Sequence, residues 1–187
     1  MASSMRWMIC AALAACGGPR SSTVPKTSTV TSEPTALARP VVAPELAVPE
    51  AAKVVLIGKA KGVQIYECAD GAWKLHAPRA ELFDGAGVSL AQHYGGVDRG
   101  KPPGPWWEAK DGSAVTGAKP VSVPNPGSIP LLRLEGTASG TGVLGHVAFI
   151  QRLDTTGGVA PAEACTAGQT QEVPYTATYY FYDAPTG

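Results

Sequence analysis

The chain has 187 residues, enough for one domain, and carries 15 Lys and Arg against 15 Asp and Glu. That balance leaves no basic excess to neutralise phosphates, so no nucleic-acid partner is expected, and no acidic block marks a solvating tail. With 22 Gly, 17 Pro and 16% charged residues, the composition predicts many turns and short strands, because Gly and Pro break helix interiors.

Residues 1–6 are short and positively charged, and residues 7–15 form an apolar run. A membrane-crossing helix needs about 20 apolar residues, so this run has the size of a signal-peptide core instead. It ends Leu13-Ala14-Ala15-Cys16-Gly17, which resembles the bacterial lipobox. Small residues let the backbone enter the peptidase site, and the thiol of Cys16 takes the lipid. Cleavage before Cys16 and lipidation on it are expected, with an ordinary secretory signal as the competing reading. Gly17 stands where Asp would favour inner-membrane retention in Gram-negative lipoproteins. The expected location is therefore the cell envelope, at the outer membrane, with the lipid as the membrane contact. Residues 16–45 are rich in Ser, Thr, Pro and Ala without hydrophobic period, which predicts a disordered tether. The globular domain is expected over 46–187.

Within it, residues 53–57 are a short β-branched run. Residues 61–68 alternate, with Val63 and Ile65 on one face. Asp70-Gly71 signals a hairpin leading into 73–76. Further short strands are predicted at 88–94, 106–109 and 113–117, with a tight turn at Asp111-Gly112. The longest candidates come last, at 129–138, 146–154 and 173–182. In the final one Tyr175, Ala177, Tyr179 and Phe181 share a face. Turn signals recur throughout, so the predicted class is all-β, an antiparallel β-sandwich or closed β-barrel of short strands with little helix. Two cysteines, Cys68 and Cys165, lie in the globular domain. Outside the cytoplasm such a pair oxidises, closing a loop of about 100 residues worth about 4 to 5 kcal/mol in the chain-entropy model. Two buried free thiols are the alternative.

Several strings resemble successive motifs of one family: Gly62-Val63-Gln64-Ile65-Tyr66-Glu67-Cys68, residues 80–84, His93-Tyr94-Gly95, Trp107-Glu108-Ala109-Lys110-Asp111-Gly112-Ser113, Phe149-Ile150-Gln151-Arg152, Thr156-Gly157-Gly158-Val159-Ala160-Pro161, Val173-Pro174-Tyr175-Thr176-Ala177 and Tyr179-Tyr180-Phe181-Tyr182. The family is domain of unknown function 3455, exported proteins of bacteria and fungi, and the resemblance runs from about residue 44 to 182. One departure is clear: residues 97–105 lengthen the connection between the His-Tyr and Trp-Glu motifs. Some relatives carry a malate dehydrogenase label. Gly140-Thr141-Gly142-Val143-Leu144-Gly145 does spell G-x-G-x-x-G, but that fingerprint binds a dinucleotide only between a strand and a helix. Here it leads into a strand and reads as a glycine-rich hairpin loop.

His76, His93 and His146 lie far apart without metal-ligand spacing, so neither a metal nor a cofactor is expected. No G-x-S-x-G elbow appears either. The candidate ligand site is His93, Tyr94, Trp107, Glu108, Asp111 and Ser113, where an indole face beside carboxylates can grip a sugar or a cation, with Arg152 as an anion-binding guanidinium. The structural alternative makes Trp107 core, Glu108 the partner of a surface Lys, Asp111-Gly112 a turn, and Arg152 a partner of Glu135 or Asp154. The chain reads as a non-enzymatic binding or structural module for a glycan, protein or small molecule. The alternative is a hydrolase-like enzyme using His93 and Glu108, which requires those two and Trp107 to meet in one pocket.

Overall fold

A computed structural model describes residues 37–184. The signal segment, Cys16 and the tether as far as residue 36 lie outside the described residues. Eight strands follow in order: β1 (Val54–Ala69), β2 (Ala72–Phe83), β3 (Ser89–Gly95), β4 (Pro105–Ala109), β5 (Ala114–Asn125), β6 (Ser128–Ser139), β7 (Val147–Gly157) and β8 (Thr170–Asp183). Each pairs antiparallel with its neighbours in sequence, and β1 closes on β8 from Val54↔Tyr182 to Glu67↔Thr170. The fold is a closed up-and-down barrel. Closure leaves no strand edge unpaired, which is how so glycine-rich a sheet avoids edge-to-edge association.

Two predicted runs, 53–57 and 61–68, merge into the single strand β1. Gly58 and Gly62 do not break it, because both face inward where the wall is crowded. A Cβ on Gly62 would overlap the backbone of Arg79 and Ala80, and one on Gly58 would press on Leu82 at 2.9 Å. Inward alanines (Ala60, Ala80, Ala91 and Ala177) leave room for Leu82 from β2 and for Trp107, Tyr179 and Phe181 from β4 and β8. Small-against-large pairing of this kind lets a narrow barrel pack. The inward face of β1 differs from its apolar appearance: Gln64 is buried at 2% exposure, while Val63 and Ile65 are only half-buried on the other face. β5 likewise runs beyond 117 to Asn125, crossing Pro120 through an irregularity between Ala118 and Val121 where Lys119 takes a φ of 48°.

One end of the barrel is sealed by the loop joining β6 to β7, the G-x-G-x-x-G segment. It connects antiparallel neighbours, and its Leu144, fully buried, enters the core. At the other end the β7–β8 connection folds against β1, held by the Cys68–Cys165 disulfide and by Tyr66, whose hydroxyl donates to the Gly158 carbonyl at 2.7 Å.

The outer face of β7 and β8 is covered by the segment that precedes β1. Its 3-10 turn, Pro44–Leu46, buries Leu46 completely. The Gln151 amide donates to the Leu46 carbonyl at 2.6 Å and accepts from the Tyr182 hydroxyl at 2.6 Å. Gln151 therefore interrupts an apolar strand because it is the hydrogen-bonding seat of this segment. Arg39 ties the segment into a loop, its guanidinium donating to the carbonyls of Val48 (2.7 Å) and Ala52 (2.5 Å) above the Tyr182 ring. Packing thus begins at Arg39, ahead of residue 46 where composition places the start of the domain. One arginine collecting successive carbonyls supplies the order that hydrophobic pattern does not.

Candidate functional site

In the β3–β4 register, His93 pairs with Trp107, Tyr94 with Trp106 and Gln92 with Glu108. Because side chains alternate across a strand, His93 and Trp107 point into the barrel while Tyr94 and Glu108 point out. The six residues grouped by sequence therefore fall in three places.

The inward pair forms the floor of a cavity. The His93 imidazole lies flat on the Trp107 indole, with ring centroids 4.2 Å apart and planes 5° apart, and the Tyr179 ring meets both edge-on at 5.3 and 5.4 Å. His93 Nδ1 is 2.9 Å from the Trp106 carbonyl oxygen. A carbonyl can only accept, so Nδ1 carries the proton and Nε2 a lone pair. Burial pushes the imidazole pKa down to about 3, against a smaller opposing effect of the Trp106 bond. The ring is neutral throughout the physiological range.

Above this floor is a cavity of about 470 Å³ at the end of the barrel opposite Leu144. Its walls are largely apolar, from Pro78, Leu132, Leu134 and Pro105, and Leu75 and Val97 stand at its rim, each more than half exposed. Three polar side chains besides His93 reach it from the interior: Gln64, Tyr179 and Arg152. The Gln64 Nε2 and Trp107 Nε1 atoms are buried without a hydrogen-bond partner. The hydroxyls of Tyr175 and Tyr179 lie close to one another but out of hydrogen-bond geometry, and burial raises the pKa of both. Arg152 extends inward from β7, where Nε and Nη2 donate to the Pro130 carbonyl at 3.2 and 2.9 Å. The expected carboxylate partners are elsewhere. Glu135 pairs with Lys119 at 2.7 Å, and the exposed Asp154 makes no ion pair among the described residues.

The outward pair is a separate cluster. The Tyr94 hydroxyl donates to Glu108 at 2.5 Å and Lys101 Nζ donates to the same oxygen at 3.0 Å. Those two bonds hold the Glu108 carboxyl below its ordinary pKa. The Arg99 guanidinium lies 3.9 Å over the Tyr94 ring and Lys101 4.8 Å from the Trp106 ring. Residues 97–105, the lengthened connection, therefore do two things. Their cations clamp the outer wall, and Val97, Pro103, Gly104 and Pro105 complete the cavity rim. The clamp needs glycine at position 96, where a Cβ would strike the Pro102 carbonyl and the Trp106 indole. With Glu108 engaged outside and His93 inside, the wall of the barrel stands between them and they form no hydrogen bond.

Asp111 and Ser113 lie at the sealed end. The Asp111 carboxylate accepts from the Ser113 amide (2.9 Å) and hydroxyl (2.5 Å) and from the Val143 amide (2.7 Å). Ser113 Oγ accepts from the Leu144 amide at 3.0 Å. These bonds lower the Asp111 pKa, the Ser113 hydroxyl contributing most. Their work is to fix the loop that carries the Leu144 plug.

Of the candidate site residues, His93, Trp107 and Arg152 share the cavity, and His76 lines its rim, 3.0 Å from the Asp98 carboxylate. Gln64 and Tyr179 join them without having been singled out. Tyr179 could have been found from the aromatic face of β8, since an inward tyrosine brings a hydroxyl that needs a partner. Gln64 carried no such signal. Among the described residues no three His, Cys, Asp or Glu converge as a metal-ligand group.

Comparison with curated proteins and with solved structures gave no match. Residues 49–183, the whole barrel, match the family model described as "Protein of unknown function (DUF3455)". The chain belongs to the DUF3455 family.

Proposed function

We propose that this protein is a cell-envelope lipoprotein whose barrel holds a small molecule in the cavity at its open end. The observation that carries the reading is the cavity itself, about 470 Å³ with apolar walls and the partnerless Gln64 and Trp107 N–H groups. Small-molecule sites have this size and this mixture of apolar wall with a few convergent polar groups, and eight-stranded barrels are just wide enough to enclose one ligand. A buried N–H without a partner costs free energy, which a bound acceptor would recover. The Cys68–Cys165 disulfide supports an oxidising compartment, and Leu13-Ala14-Ala15-Cys16 supports a lipid anchor.

Both parts can be tested. The chain carrying Cys16→Ser, purified without detergent, is titrated with the neutral apolar dye N-phenyl-1-naphthylamine, whose emission rises in an apolar site. Saturable one-site binding is expected, and the cavity reading is refuted if neither this dye nor its sulfonated form binds. In cells, the unsubstituted chain should incorporate a fatty-acid analogue and Cys16→Ser should not. Equal labelling of the two would remove the anchor.

A further inference from the structure

We infer that the ligand is an apolar anion, an organic acid whose carboxylate or sulfonate meets Arg152 while its apolar body lies along the cavity wall; this rests on the cavity binding a small molecule at all. Arg152 is the one fixed charge among the lining side chains, and none of them is acidic. No carboxylate stands within ion-pair distance of it among the described residues. Two of its nitrogens are spent on the Pro130 carbonyl, and its neighbour inside the barrel is the Tyr179 hydroxyl, a neutral group that leaves the positive charge without a counter-ion. A guanidinium that faces a largely apolar space without a counter-ion is a strong receptor for an anion, because charge-assisted bonds to it are about twice as strong as neutral ones.

The surrounding groups agree in sign. Trp107 Nε1 can only donate, and Gln64 offers an unpaired amide. The Tyr179 hydroxyl is kept protonated by burial, so it too is a donor. The neutral His93 adds no charge. A cation would enter against Arg152, since the carboxylates nearest the rim, Asp98 and Glu67, face the lining His76 at 3.0 and 3.6 Å, and a neutral hydrocarbon would leave every one of these donors unpaired. The exposed Leu75 and Val97 at the rim offer an apolar entry for the body of the molecule.

The test uses two dyes that differ by one group: N-phenyl-1-naphthylamine and its sulfonated form, 8-anilino-1-naphthalenesulfonate. Both are titrated into the Cys16→Ser chain and into the same chain carrying Arg152→Gln, with the disulfide intact. The anionic dye is expected to bind about tenfold more tightly than the neutral one, and Arg152→Gln to remove that advantage while changing the neutral dye's Kd less than about twofold. Equal affinity for the two dyes, or an Arg152→Gln effect that falls on both alike, would overturn the anion inference and leave the cavity reading standing. Failure of both dyes to bind would overturn the two together. Should Arg152→Gln not fold, Leu75→Glu places a carboxylate at the exposed rim and is expected at low salt to weaken the sulfonate about threefold and spare the neutral dye. An equal effect of Leu75→Glu on both dyes would count against the inference.

Discussion

His93 offers the sharpest physical test of the interior. Its pKa is near 6.5 in an unfolded chain and is pushed to about 3 by burial in the barrel. The folded state therefore binds fewer protons than the unfolded one in the interval between those values. The stability that comes from keeping this ring neutral is present in full above pH 6.5 and is lost as pH falls from 6.5 toward 3. The slope is about 1.4 kcal/mol per pH unit, so about 2 kcal/mol disappears between pH 7 and pH 5. Other groups titrate over that range as well, and the variant His93→Phe isolates this one. It keeps a ring against Trp107 and cannot take a proton. Urea unfolding of both proteins with the disulfide intact, at pH 7 and at pH 5, gives a double difference. The wild type should lose about 2 kcal/mol more than the variant, whatever their absolute stabilities. A double difference below about 0.5 kcal/mol would mean that water or a counter-ion reaches the imidazole in the folded state, and the dry, neutral floor on which the cavity argument stands would be wrong.

Three further outcomes follow from the two ends of the barrel. Leu144→Ala should cost about 3 kcal/mol in urea unfolding, since it empties a fully buried site; a cost under about 1 kcal/mol would show that the loop does not plug the barrel. Reducing the Cys68–Cys165 bridge, which spans 97 residues, should lower stability by about 4 to 5 kcal/mol less any native strain, and an unchanged urea midpoint in reductant would contradict the bridge. Asp111→Asn should accelerate hydrogen exchange at the Val143 and Leu144 amides. In the wild type the same amides should lose protection in acid, because a carboxyl whose folded pKa is lowered contributes above the ordinary carboxylate range and stops contributing as pH falls through its folded value. Exchange that ignores both changes would detach Asp111 from the loop.

The candidate residues show what pattern can and cannot deliver. His93-Tyr94 and Trp107-Glu108 stand out as adjacent polar and aromatic residues, and reading them as one site treats neighbours in sequence as neighbours in space. In a strand the reverse holds, because consecutive side chains leave on opposite faces. Pairing β3 with β4 therefore builds two sites, one on each side of the wall. Asp111 and Ser113 follow within a few residues, yet the tight turn carries them to the opposite end. Val63 and Ile65 mislead for a related reason. Apolar alternation normally marks the inward face, but here Gln64 takes the inward position beside the cavity as one of its few polar groups.

The all-β class, the turns and a cysteine pair able to bridge were legible in the sequence. They rest on local chemistry: period-2 alternation, Gly and Asp at tight turns, and a pair of cysteines within the β-rich part of the chain. Sandwich against barrel was not legible, since it depends on whether the first strand meets the last, a contact between residues such as Val54 and Tyr182 with the whole domain between them. The cavity was equally invisible. It is a volume that no single segment encodes, and only closure of the sheet brings Gln64, Trp107, Arg152 and Tyr179 from four separate strands to its surface.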